Sequence, residues 1–294
     1  MSGLGMRAVG LYLRLTSRRR MATAERARAR MAAPKGSAAP PARLRARHTV
    51  TERRFGQFTT YTVTPRHRAP HCAVLFLHGG SYIAEIARQH WGLIARLVDH
   101  GARVDVPIYG LAPRFTHHDA YPFVTEAYRA MAAEAPGPLT VLGDSAGGGL
   151  ALGFTQTLAG LDEPVRRPDR LVLIAPWLDL TLSNPDMAAV DDPWLTRAGL
   201  LEAGRAWAAG TDPTDPRLSP LNGPMDALPP TDLYIGTRDL GYPDACAFRD
   251  RATAAGVRVE FTVSGGALHD YPLLPTREGR AAAARIARAV CASR

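Results

Sequence analysis

From Cys72 onward, short apolar runs alternate with longer segments of helical character, and this rhythm leaves few folds open. The runs are Cys72–Leu77 (CAVLFL), Ala102–Ile108, Leu139–Leu142, Arg170–Ile174, Asp232–Ile235 and Val257–Val263. Helical segments lie near His90–His100, Tyr121–Ala135, Gly148–Leu158, Asp244–Ala255 and Gly279–Val290. Apolar runs without polar alternation indicate strands covered on both faces, and their alternation with helices indicates parallel pairing through right-handed crossovers. Upstream, Thr49–Phe55 and Phe58–Thr64, joined through Gly56-Gln57, read as an antiparallel hairpin. The expected fold class is α/β, a mostly parallel sheet of about eight strands covered by helices on both faces.

One junction in this series is abnormal. Leu139–Leu150 reads LTVLGDSAGGGL, a strand that passes into a helix with almost no loop. The frame Gly143-x-Ser145-x-Gly147 fits a nucleophile elbow, in which a strained serine stands clear at the end of a parallel strand. Glycines flank it because a Cβ there would collide with the neighbouring elements. The competing reading is a glycine-rich turn that merely packs closely.

A nucleophilic serine needs a base, a group that orients the base, and donors for an oxyanion. In open α/β sheets such groups gather at the carboxyl ends of the strands. The first strand runs into His78-Gly79-Gly80-Ser81-Tyr82, whose glycines can turn N–H groups toward a reacting carbonyl. The expected oxyanion donors are Gly79, Gly80 and Ala146, with His78 a supporting member of the motif. The strand Asp232–Ile235 ends in Gly236-Thr237-Arg238-Asp239, placing a carboxylate where it can hold an imidazole. Asp244 is the nearby competitor, though it better opens the following helix. After the last strand comes Ala267-Leu268-His269, a loop histidine whose ordinary pKa suits proton transfer at neutral pH. The chain order Ser145, Asp239, His269 is that of α/β-hydrolases and differs from both protease orders.

The net charge of +9 is unevenly spread. Residues 1–47 hold eleven arginines and Lys35 against Glu25 alone, a balance of +11, which leaves the other 247 residues at −2. Helical segments are expected at Arg7–Leu15 and Thr23–Met31, and Pro34–Pro41 (PKGSAAPP) is a linker by composition. The domains expected are a basic arm over 1–47, contributing to a cap, and a catalytic body over 48–294. Within the body the interval 177–228 interrupts the rhythm, is rich in Pro and Asp, and has a helical piece at Thr196–Ala209; a connection so long is commonly a lid or pocket wall. Trp177, Trp194 and Trp207 fall there, as an apolar pocket or as the cap's own core. Without aromatic interleaving or a binding module the arm does not point to nucleic acid; weak contact with anionic lipid is the alternative.

Other chemistry finds less support. No uninterrupted apolar stretch of about eighteen residues occurs, and the N-terminus lacks the core of a secretory signal, so a cytoplasmic protein is expected. Cys72, Cys246 and Cys291 are too widely spaced for a disulfide framework or zinc site and read as small buried hydrophobes. His117-His118-Asp119 lacks ligand spacing, and Gly147-Gly148-Gly149 lacks the remainder of a phosphate or dinucleotide fingerprint. No metal and no organic cofactor is expected.

Taken together, His78-Gly79-Gly80, Tyr109-Gly110-Leu111-Ala112-Pro113, Gly143-Asp144-Ser145-Ala146-Gly147-Gly148, Ala175-Pro176-Trp177-Leu178-Asp179-Leu180, Leu218-Ser219-Pro220-Leu221 and Gly236-Thr237-Arg238-Asp239 resemble the hormone-sensitive-lipase-like branch of the α/β-hydrolases, the bacterial carboxylesterases and acetylhydrolases. The resemblance spans about Val74 to Val290. It implies an eight-stranded sheet, a helical cap from the arm and the insertion, and hydrolysis of small to medium acyl esters through an acyl-serine. An amidase or deacetylase would use the same residues, and a non-catalytic ligand-binding relative would share the fold. The chain departs from the family pattern in three places. Ser81 stands for a third glycine, Gly110 and Arg114 replace an arginine and a glutamate so that a supporting ion pair is not expected, and Leu240-Gly241 replaces Pro-Leu after Asp239.

Overall fold

The computed structural model describes residues 3–292 apart from 162 and 164, so the outermost residues of the expected arm and body lie outside the described residues. The arm holds α1 (Leu4–Leu15), α2 (Ser17–Arg20), α3 (Ala24–Ala32) and α4 (Ala42–Arg47). The body follows as β1 (Thr49–Phe55), β2 (Phe58–Thr64), β3 (Cys72–Leu77), α5 (Arg88–Asp99), β4 (Ala102–Ile108), α6 (His117–Glu134), β5 (Leu139–Asp144) and α7 (Ser145–Thr157). It continues through β6 (Arg170–Ile174), α8 (Arg197–Ala208), β7 (Thr231–Arg238), α9 (Tyr242–Ala254), β8 (Val259–Leu268) and α10 (Arg277–Cys291).

The strands form one eight-stranded sheet in the order β1-β2-β4-β3-β5-β6-β7-β8. The hairpin β1-β2 is antiparallel and joins β4 antiparallel; every other pair is parallel. The expected fold is therefore present. Every residue of β3 and β5 is buried, which explains their unbroken apolar character. Burying side chains such as Phe76 and Leu77 contributes about 1.5–3 kcal/mol each, so the strands whose ends carry His78 and Ser145 are firmly anchored.

The strand β8 departs from expectation. It runs on to Leu268 instead of ending at Val263, because Ser264-Gly265-Gly266 stay in the ladder through an irregularity opposite Gly236. A Cβ at Gly236 would lie 2.3 Å from the Ala267 carbonyl oxygen, so glycine permits the close approach there. Beyond the irregularity Arg238 pairs with Leu268. The next residues on these two strands are Asp239 and His269, which thus leave the sheet side by side.

The arm lies against the insertion. Arg14 pairs with Asp191 at 2.5 Å and Arg28 with Glu202 at 2.7 Å, while the Arg18 guanidinium donates to the carbonyls of Asp192 and Leu195. The helix α1 has two apolar faces. Met6, Gly10 and Leu13 pack inward, whereas Leu4, Leu11, Tyr12 and Leu15 are 82%, 61%, 64% and 51% exposed. At 100° per residue the exposed four fall on one stripe.

Candidate active site

Ser145 opens α7 directly from the end of β5, with φ at +51°. A side chain other than glycine's is rarely held in this left-handed region unless its surroundings impose it. They do so here by close packing. A Cβ at Gly143 would stand 2.2 Å from the Gly147 carbonyl oxygen, and one at Gly147 would stand 2.1 Å from that of Leu77. The elbow expected from Gly143-x-Ser145-x-Gly147 is thus formed, with both glycines required by backbone approach.

His269 Nε2 lies 2.9 Å from Ser145 Oγ, and His269 Nδ1 lies 2.9 Å from Asp239 Oδ2. All three residues are buried. A carboxylate facing Nδ1 selects the tautomer with its proton there and leaves Nε2 free to accept from the serine hydroxyl. Burial alone would lower the His269 pKa, but the neighbouring carboxylates, Asp239 foremost, outweigh it and push the value up to about 10. The remaining oxygen of Asp239 accepts from the Gly241 N–H at 2.9 Å. Asp244, the competing acid, lies in the first turn of α9 and is bound by Asn184 at 3.0 Å.

One expected donor is otherwise engaged. The Gly79 N–H donates to Asp144 Oδ1 at 3.1 Å, so it is not available to an oxyanion. Glycine is needed there for another reason: a Cβ would stand 2.3 Å from Asp144 Oδ2. The next N–H groups, of Gly80 and Ser81, donate to no protein acceptor among the described residues. Gly80, Ser81 and Tyr82 all have positive φ, of +123°, +53° and +61°. Ala146 stands in the first turn of α7, where N–H groups lack intrahelical partners. His78 is fully buried, stacks on Tyr109 at 4.5 Å and donates from Nδ1 to the Gly79 carbonyl at 2.7 Å. Burial lowers its pKa to about 4, so it braces the loop as a neutral ring.

Sequence reasoning missed three residues around these groups. His90 Nδ1 accepts from the Ala87 N–H, which leaves Nε2 to donate to Asp144 Oδ2 at 3.0 Å. Asp144 thereby joins the elbow to both β3 and α5. Asp192, on the insertion, accepts the N–H of Leu240 at 2.8 Å and those of Trp194 and Leu195 at 2.7 and 2.9 Å. The departure from proline after Asp239 is what supplies the Leu240 N–H. Asp270 is buried beside His269, with Oδ2 3.3 Å from Nε2. The chance of finding these residues was small, since each is defined by tertiary neighbours.

The other departures are also accounted for. Phe115 fills the space beside Gly110, where a Cβ would come within 2.2 Å of its ring, and the Arg114 guanidinium lies 5.1 Å from that ring centre. Trp207 stacks on Tyr82 at 4.2 Å and Trp177 on the same ring at 5.7 Å, so these two are packed core side chains. Trp194 instead presents its edge to His269 at 5.4 Å and lines the cleft. Two cavities meet at Ser145 and His269, one of about 80 Å³ toward Asp270 and Trp194, the other of about 20 Å³ toward Trp177 and Met187. A larger hollow of about 730 Å³ beside Arg18 and Asp192 does not reach Ser145.

Among the described residues one group has donors placed for a metal: His71, Cys72 and Cys291, within 4.8 Å of one another. The chain separation of Cys72 and Cys291 concealed this, because the start of β3 and the end of α10 meet only in the fold. That edge of the sheet is opposite to Ser145.

A strained serine at the carboxyl edge of a parallel sheet, facing a histidine and an aspartate from the last two strands, defines an α/β-hydrolase. Residues 74–273 match the family model described as the alpha/beta hydrolase fold. An acetyl-hydrolase of Streptomyces hygroscopicus is 34% identical over 71% of this chain and 72% of that protein. An esterase of Acinetobacter venetianus is 29% identical over 68% of this chain and 67% of its own length. A crystal structure of an esterase from the bacterial hormone-sensitive lipase family superposes with a TM-score of 0.78 at 25% identity, covering 99% of this chain and 98% of that one. The chain belongs to the alpha/beta hydrolase fold family, in its hormone-sensitive-lipase-like branch, and is a carboxylic ester hydrolase.

Proposed function

We propose that this enzyme is a serine carboxylesterase for small to medium acyl esters, with Ser145 as nucleophile, His269 as base and Asp239 as the acid that orients it. The observation that carries the reading is the pair of 2.9 Å hydrogen bonds joining Ser145, His269 and Asp239. Ser145 Oγ gives its proton to His269 Nε2 as it attacks the ester carbonyl carbon. The N–H groups of Gly80, Ser81 and Ala146 hold the oxyanion, each donor contributing about 10²–10³ in rate. Collapse breaks the bond to the alcohol oxygen, which takes the proton from Nε2. Water, deprotonated by the same nitrogen, then releases the acid and restores Ser145.

A fluorophosphonate is expected to add once, at Ser145, and Ser145→Ala to lose both the label and hydrolysis of p-nitrophenyl acetate and butyrate. Label retained by Ser145→Ala overturns the assignment. Matched anilides are expected to react far more slowly than the esters, and equal rates would transfer the reading to an amidase.

The exposed stripe of α1 favours weak peripheral contact with an anionic lipid surface. Four large apolar side chains facing solvent on a helix within an arm of charge +11 have the pattern of an interfacial helix. Among the described residues no helix is long and apolar enough to cross a membrane.

A further inference from the structure

We propose that Asp270 selects esters whose alcohol portion carries a hydroxyl on the carbon next to the one bearing the ester oxygen, as in monoesters of glycol or glycerol. The inference rests on the catalytic reading above and adds the substrate's chemistry to it. Asp270 is 7% exposed, and its Oδ1 is buried without a hydrogen-bond partner among the described residues. Asp270 lines the cleft that contains Ser145, where Ile83, Trp194, Leu195 and Leu200 stand with the polar Arg30 and Thr196. A buried polar atom with no partner of its own orients a ligand that can bond to it and penalises one that cannot.

Geometry fixes which half of the ester it meets. His269 Nε2 must deliver its proton to the departing alcohol oxygen, and Asp270 Oδ2 lies 3.3 Å from that same nitrogen. The carboxyl therefore stands beside the alcohol portion and not at the far end of the acyl chain. With Oδ2 turned to the imidazole, Oδ1 remains to accept from a hydroxyl on the carbon next to the one that bears the leaving oxygen. A neutral hydroxyl suits this place better than an ammonium, because the imidazolium formed during the reaction and Arg30, also in the lining, would repel a cation. Asp270 is held inward by a left-handed backbone, φ +53° and ψ 32°, and its carbonyl accepts the Leu273 N–H at 2.8 Å. Aspartate, asparagine and glycine adopt that conformation with little strain, which makes clean variants available.

The test compares 2-hydroxyethyl butyrate with n-propyl butyrate, which differ by a hydroxyl in place of a methyl group. The wild-type ratio of kcat/KM is expected to exceed the ratio for alkaline hydrolysis of the same esters by about tenfold or more, as one satisfied buried hydrogen bond supports. Asp270→Gly should bring the ratio back to the alkaline value, and Asp270→Asn, which keeps a carbonyl oxygen there, should retain part of it. Fluorophosphonate labelling of each variant reports that Ser145 is still reactive. A wild-type ratio equal to the alkaline one, or equal falls for both esters in Asp270→Gly, overturns the proposal. No hydrolysis and no labelling of wild type would instead defeat the catalytic reading.

Discussion

At the scale of single residues, the site is held by conflicts that only particular side chains resolve. Gly147→Ala would drive a Cβ to 2.1 and 2.4 Å from the carbonyl oxygens of Leu77 and His78, both backbone atoms that cannot swing aside. Loss of cooperative folding, or a thermal midpoint lowered by several degrees, is expected by calorimetry. Asp239→Asn should leave the fold intact and lower kcat by about 10³–10⁴-fold through the wrong imidazole tautomer. The raised pKa of His269 has a definite sign in the pH profile. In the proposed role as base His269 acts only when neutral, so kcat/KM should climb with pH well above the ordinary histidine midpoint of about 6.5 and fall away in acid. A plateau already reached at pH 7 would contradict it. The placement of Ser145, Asp239 and His269 beyond strands was legible from the apolar runs before them; the engagement of Gly79 by Asp144 was not, since it joins side chain to backbone across 65 positions.

Among elements, the acid's loop is the joint to watch. Asp191 pairs with Arg238 at 2.8 Å on one side of Asp239, and Asp192 accepts from Leu240 on the other. Asp191 also pairs with Arg14 and the Asp192 carbonyl accepts from Arg18, so arm, insertion and acid loop meet at two adjacent residues. Leu240→Pro would remove the N–H and leave a buried carboxylate oxygen without that partner. A loss of about 1–3 kcal/mol in urea unfolding is expected, together with lower kcat. Strand limits were largely readable, since β3, β4 and β6 coincide with their apolar runs. The tail of β8 was not, because Ser264-Gly265-Gly266 looks like a loop and joins the ladder only through the irregularity opposite Gly236. The helix α4 has Leu44 as its one buried residue and hence too little periodicity to detect. In the expected helix Arg7–Leu15 the apolar residues Val9, Leu11, Leu13 and Leu15 mix helical with alternating spacing, because α1 carries two apolar faces.

For the molecule as a whole, the charge asymmetry and the α1 stripe give a measurable expectation. Binding to vesicles containing phosphatidylserine should weaken as salt is raised, and Leu11→Glu with Leu15→Glu should reduce it about tenfold or more while p-nitrophenyl butyrate hydrolysis in solution persists. Binding insensitive to both changes would assign the stripe another role. The pairing of Arg238 with Leu268 carries a further consequence, for how such a chain can change length. Asp239 and His269 keep their spacing because two neighbouring strands count residues in step, so the ladder works as a ruler whose last mark lies just before them. Extra residues between α9 and β8 fall before the count begins and can be absorbed. A single residue added between Gly236 and Arg238, or between Ser264 and Leu268, would shift one partner by about 3.3 Å, a full strand step, and part a hydrogen bond that no side-chain rotation restores.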